Sequence, residues 1–99
     1  LHDALPIWIV VEVISKSSTK RDRGFKLKQY KTISTLQYYL LVSQVEHKVE
    51  LYSRLDGSDL WTCHSFENLG DVIRLEAFDF RISLETIYES IRFEPEIAQ

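Results

Sequence analysis

The segment WIVVEVIS, residues 8–15, places one carboxylate, Glu12, inside a run that is otherwise apolar and rich in β-branched side chains. Apolar residues fall on both faces of a two-residue period, which predicts a central strand covered on both sides. In such a strand Glu12 shares a face with Trp8, Val10 and Ile14. An unpaired carboxylate buried there costs on the order of several kcal/mol, so Glu12 must be neutral, paired with a cation, or bound to a metal. A nearby Lys or Arg is the commoner partner. The other is a divalent metal, since Mg²⁺ is typically held by one or two carboxylates with water and substrate phosphate.

Working outward, the seven residues before Trp8, LHDALPI, coincide with the in-frame translation of a common sequencing-library adapter, so Leu1 to Ile7 are read as non-native and excluded from fold reasoning. The expected division is then 1–7 adapter-derived, 8–93 the folded part, and 94–99 a frayed tail. After Ile14, SKSST (15–19) is a polar loop. Asp22 offers an N-cap, and Leu27, Tyr30 and Ile33 recur at helical spacing, so a helix is expected over about 22–33. Lys26 lies at the edge of that stripe, where it can pair with Glu12, stabilise phosphoryl charge, or simply snorkel to solvent.

QYYLLVS (37–43) and HKVELYSR (47–54) read as two strands of a hairpin, and DGSD (56–59) turns the chain into a further strand, LWTCHSF. DVIRLEAF and FDFRIS are short extended segments. Ser83 opens a terminal amphipathic helix with Leu84, Ile87, Tyr88 and Ile91 on one stripe. A strand, a helix and a second strand beside the first form a βαβ-like unit. The fold class is therefore α/β, in its α+β form: a mixed β-sheet with a crossover helix and a C-terminal helix.

At 99 residues, with 27% charged and 44% hydrophobic side chains, the chain is one small globular unit with a modest core. It has no apolar stretch long enough to cross a bilayer and no signal-peptide pattern, so no membrane partner and a cytoplasmic location are expected. Cys63, the only cysteine, excludes an internal disulfide and a cysteine-based zinc site. In a strand it points away from His64, which gives a catalytic thiol no support. The net charge of -3 hides an asymmetry: residues 1–44 hold seven Lys/Arg against three Asp/Glu, and residues 45–99 five against twelve. All seven N-terminal cations lie between Lys16 and Lys31. That cluster suits phosphate contact, or is an ordinary solvated face.

The segment VVEVISKSSTKRDRGFKLKQYKTISTLQYYLLVSQ resembles the Uma-type restriction endonuclease family of the PD-(D/E)xK nuclease superfamily. That pattern runs V-E-V-L-S-x-S-T, then D-R-G-x-K, a Tyr, and T-L-Q-E-Y-x-L-V-S-Q. It is met at Glu12, Ser15, Ser17, Asp22, Arg23, Gly24, Lys26, Tyr30, Thr35, Leu36, Gln37, Tyr39 and Gln44. The resemblance implies a restriction-endonuclease-like core with Glu12 as the acidic residue of the (D/E)xK element, a metal ligand and catalytic residue. It implies Lys26 as the catalytic lysine, because Ile14 stands where the superfamily would have one. By the same analogy the Val13 carbonyl faces the metal, which would be Mg²⁺ or Mn²⁺. Lys16 and Tyr38 depart from the pattern, standing where Pro and Glu are usual. The superfamily's other metal-binding Asp belongs to a strand before Trp8.

Two functions follow from different premises. The first is a metal-dependent DNA endonuclease in the full-length parent, hydrolysing phosphodiesters through Glu12 and Lys26, with Lys16, Lys20, Arg21 and Arg23 on DNA phosphates. These 99 residues alone are then expected to be nearly inactive. The alternative is a non-catalytic DNA-binding or interaction domain on a decayed nuclease scaffold. A homodimer is left open under both, and an unstable fragment with an exposed sheet edge is the third expectation.

Overall fold

The structure, a computed structural model, describes residues 6–15, 20–91 and 93, with the side chains of residues 20–22 outside the description. Among these residues six strands and two α-helices follow in order: β1 (Ile9–Ile14), α1 (Lys20–Tyr30), β2 (Tyr38–Ser43), β3 (Val49–Arg54), β4 (Trp61–Phe66), β5 (Val72–Leu75), β6 (Phe80–Ser83) and α2 (Leu84–Tyr88). The first four strands form one sheet in the order β1-β2-β3-β4, and β5 and β6 form a separate hairpin. β1 runs parallel to β2, with Glu12 opposite Leu41, while β3 is antiparallel to both of its neighbours, β2 and β4. The mixed sheet, crossover helix and C-terminal helix are thus all present.

One expectation is corrected. β2, not β1, is buried at every position, whereas β1 alternates between exposed and half-buried residues. Among the described residues β1 ends the sheet, with Ile9, Val11 and Val13 exposed on one face. The physical reason lies in the second layer. β5, β6 and α2 pack Ile73, Leu75, Leu84 and Tyr88 against Tyr38, Leu40 and Val42 of β2 and Val49 and Leu51 of β3. That layer does not cover β1.

The opposite face of the sheet carries α1, which begins at Lys20 and ends at Tyr30, slightly earlier at both ends than its apolar spacing suggests. Asp22 lies inside it rather than at its cap. The helix turns Arg23, Lys26 and Tyr30 toward the sheet, where they meet Glu50, Glu12 and both Glu12 and Tyr39. A short helix held mainly by polar contacts needs its tertiary partners to persist. Its C-terminal end is tied by Arg54 of β3, whose guanidinium donates to the Leu36, Ile33 and Lys31 carbonyls at 2.8, 2.9 and 3.3 Å.

The turns behave as their sequences require. Gly57 of the DGSD turn takes φ 64, a conformation that costs glycine little. Ser83 caps α2 by accepting from the Thr86 amide at 3.1 Å. α2 stops after Tyr88, so Ile91 lies beyond the helix and stays 39% exposed.

Tyr88 plugs the β2–β3 turn. Its hydroxyl lies 2.7 Å from the Ser43 carbonyl and 2.9 Å from that of Lys48, and accepts from the Lys48 amide at 3.3 Å. Burial pushes its phenol above the ordinary 10.0. A folded-state value above the unfolded one means stability is complete below the unfolded value and is lost as pH rises through the folded one. Tyr88→Phe should therefore lose about 1 kcal/mol near neutral pH, but show a shallower alkaline decline in urea midpoint than the parent chain. Parallel alkaline slopes would refute this.

Candidate functional site

Glu12 projects from the middle of β1 toward α1, and three side chains from two other elements converge on it. The Tyr30 hydroxyl donates to Oε1 at 2.7 Å, and Lys26 Nζ lies 3.6 Å from the same oxygen. Tyr39, from β2, donates to Oε2 at 3.0 Å. Helical spacing brings Lys26 and Tyr30, four residues apart, onto one face of α1. Strand pairing does the rest: Tyr39 stands opposite Val10, whose side chain shares Glu12's face of β1.

The carboxylate is only 19% exposed, so burial pushes its pKa up. The Tyr30 and Tyr39 hydrogen bonds and the Lys26 charge outweigh that, and hold it below its ordinary 4.5. Glu12 is thus an anion at neutral pH. Its presence raises Tyr30 through the hydrogen bond, while Tyr39, wholly buried, is raised first by burial and then by Glu12. Both phenols therefore remain donors. Of the alternatives open for a carboxylate in this strand, the structure contains the ion pair, with Lys26.

Lys26 itself is 54% exposed, so its ammonium is shared between Glu12 and solvent. The Val13 carbonyl is placed by the sheet. Trp8 and Ile14 turn their carbonyls to the Tyr38 and Gln44 amides of the neighbouring chain segment. The alternation of a strand then aims the Val13 carbonyl at the opposite edge of β1, which pairs with no strand among the described residues.

Of the basic residues expected on phosphates, Arg23 is the one whose side chain is described, and it sits 4.0 Å from Glu50 of β3. Lys20 and Arg21 begin α1, with side chains outside the described residues, and Lys16 lies outside them altogether. Arg23 and Glu50 also line a polar cleft with Ile14, Ser15, Ser43 and Lys48, next to Glu12 along β1.

Tyr30, Tyr39, Glu50 and Arg54 receive no site role from the residues alone. A Tyr four residues after Lys26 is the one signal on offer for Tyr30. Tyr39, 27 residues from Glu12 in sequence, is marked only by its place in the Uma-type pattern, which assigns it no role.

The described residues contain no group of three or more His, Cys, Asp or Glu side chains placed to hold a metal ion. At Glu12 itself the strand offers one ionised carboxylate and the outward carbonyl of Val13. Both are hard oxygen donors, which fit Mg²⁺ or Mn²⁺ with water completing the shell and give no purchase to a soft, thiolate-seeking metal.

The profile of the Uma2 family, described as "Putative restriction endonuclease", matches residues 1–86. An uncharacterized protein of Synechocystis sp., slr1290, is 33% identical over 85 residues, covering 86% of this chain and 44% of that protein. The solved structure of "a putative nuclease belonging to DUF820" from Anabaena variabilis superposes with a TM-score of 0.64 at 13% identity, over 84% of this chain and 45% of that one. At that identity the likeness concerns the fold. This chain spans less than half the length of either relative.

Proposed function

Because the chain belongs to the Uma2 family of restriction-endonuclease-like proteins, we propose that the complete protein hydrolyses DNA phosphodiester bonds with Mg²⁺ or Mn²⁺, in the cytoplasm. The observation that carries this reading is the half-buried, ionised Glu12 with Lys26 Nζ at 3.6 Å. A structural ion pair alone needs no open carbonyl beside it, whereas Glu12 with Val13 offers two hard oxygens at the exposed edge of one strand.

In this reading Glu12 and the Val13 carbonyl would hold the cation. The ion, when bound, supplies Lewis acidity toward a phosphoryl oxygen and lowers the pKa of water. Lys26, half in solvent, orients the attacking water, whose oxygen bonds to phosphorus and whose proton passes to bulk water, and stabilises charge on the phosphoryl oxygens as the bond to the leaving sugar oxygen breaks and that oxygen takes up a proton from bulk water. Lys16, Lys20, Arg21 and Arg23 contact flanking phosphates, Arg23 by leaving Glu50.

The test is cleavage of plasmid DNA by the full-length protein with Mg²⁺ or Mn²⁺, and again after chelation. Cutting should need the metal and stop on its removal. Cutting that persists in chelator would sink the metal-dependent reading. DNA binding that is salt-sensitive and survives Glu12→Ala, with no cutting in any metal, would assign the scaffold to non-catalytic binding instead.

A further inference from the structure

The two oxygens of Glu12 are not equivalent, and the difference has a chemical consequence. An ionised carboxylate has about four lone-pair sites. Oε1 accepts the Tyr30 hydroxyl at 2.7 Å and has the Lys26 ammonium 3.6 Å away as an ion pair, and both partners ride on α1. Oε2 instead accepts from Tyr39 at 3.0 Å, a residue of the fully buried strand of the sheet.

Tyr39 cannot turn away. It is wholly buried, with its ring centroid 4.9 Å from that of Tyr30 on one side and 5.8 Å from that of Tyr52 on the other. Such packing locks a side-chain rotamer, as a supporting residue requires. Tyr30 and Lys26 are half-buried and exposed respectively, so the donors on Oε1 have room to shift with the helix.

We propose that Tyr39 is a positioning residue for Glu12, fixing Oε2 as the oxygen that meets a divalent cation while Tyr30 and Lys26 keep Oε1 committed to α1. The assignment rests on the metal-site reading given above and deepens it. It specifies one-oxygen coordination, because a cation that also reached Oε1 would meet the Tyr30 hydroxyl and the like charge of the Lys26 ammonium 3.6 Å from that oxygen. The two phenols, both hydrogen-bonded to one carboxylate, thereby acquire opposite roles. Tyr39 holds the ligand in place, and Tyr30 restrains its second oxygen.

The experiment is titration of the full-length protein with Mn²⁺ alone, read by electron paramagnetic resonance, for the parent and for Tyr39→Phe, Tyr30→Phe and Glu12→Gln. Tyr39→Phe removes one hydroxyl and keeps the packed ring. It should weaken Mn²⁺ about tenfold, the size seen when a group supporting a metal ligand is lost. Tyr30→Phe should leave Mn²⁺ affinity unchanged or tighter, because it frees Oε1.

In a cleavage assay Tyr39→Phe should raise the metal concentration for half-maximal rate while the rate at saturating metal holds. A residue that only supports the fold would move thermal stability and spare that split. Equal weakening by both phenylalanine variants, or unchanged affinity in Tyr39→Phe, overturns the assignment. Mn²⁺ binding that Glu12→Gln leaves intact overturns the metal site itself, an outcome separable from the order of the two tyrosines.

Discussion

If the proposed reading holds, replacing Glu12 with Ala in the full-length protein should lower metal-dependent DNA cleavage by on the order of 10³-fold, because both the proposed metal ligand and the partner of Lys26 are lost at once. The effect must be separated from damage to the fold. Alanine would leave the Tyr39 hydroxyl, on a wholly buried residue, without its Oε2 acceptor at 3.0 Å, an omission that costs about 1–3 kcal/mol. Glu12→Gln is the cleaner variant. Its amide oxygen can still accept from one tyrosine, but it carries no charge for Lys26 or a cation. The expected result is a variant with a nearly native urea midpoint and cleavage reduced by a similar order. Cleavage by Glu12→Gln within about tenfold of the parent, a barrier change of only about 1.4 kcal/mol, would remove Glu12 from the chemistry.

The second large effect is on stability, at a residue remote from Glu12. Arg54→Ala should destabilise the chain by about 3 kcal/mol, read as a fall in urea midpoint with an unchanged slope. The Arg54 side chain is only 7% exposed and donates to four carbonyls, those of Leu36, Ile33, Lys31 and Ser58. Its guanidinium also stacks 4.6 Å from the Trp61 ring. The ion pair with Asp59 adds little, because Asp59 is fully exposed. A lysine ammonium at this position could not span these carbonyls as the planar guanidinium does, so Arg54→Lys should recover less than half of the loss. A loss below about 1 kcal/mol in Arg54→Ala would mean that water replaces the guanidinium without cost. Because two of those carbonyls, Lys31 and Ile33, close the end of α1, the same substitution should loosen Lys26 and Tyr30 over Glu12.

Much of the architecture was legible in the sequence. The alternation of Val49, Leu51 and Ser53 with Glu50, Tyr52 and Arg54 places β3 correctly, because a strand's two-residue period is written directly into its side chains. The DGSD turn and the Ser83 cap were readable for a similar reason: their geometry is set by residues within a few positions of one another. Glu12 stood out because a charge in an apolar run needs a partner, and Lys26 because it shares the helix that follows. The Uma-type pattern added the nuclease fold, in agreement with the family match and the solved structure.

The error over β1 shows where local reading stops. Its β-branched run predicts burial on both faces, but burial depends on which elements reach that face, and β5, β6 and α2 cover β2 and β3 instead. The apolar spacing of α1 rests on Leu27, Tyr30 and Ile33, yet what faces the sheet is Arg23, Lys26 and Tyr30. A helical pattern specifies spacing around the axis. It does not specify which stripe docks when the partner surface carries Glu12 and Glu50.

The sequence by itself determined the strand and helix periods, the presence of one carboxylate that needs a partner, and the cation on the next helix. Tertiary structure decided that Tyr30 and Tyr39, 18 and 27 residues away, grip that carboxylate by different oxygens. It also decided that Arg54 ties α1 to β3. The physical reason is that hydrogen bonds are directional over about 3 Å, so partners distant along the chain are selected only once strand register and helix docking have brought their atoms within that range.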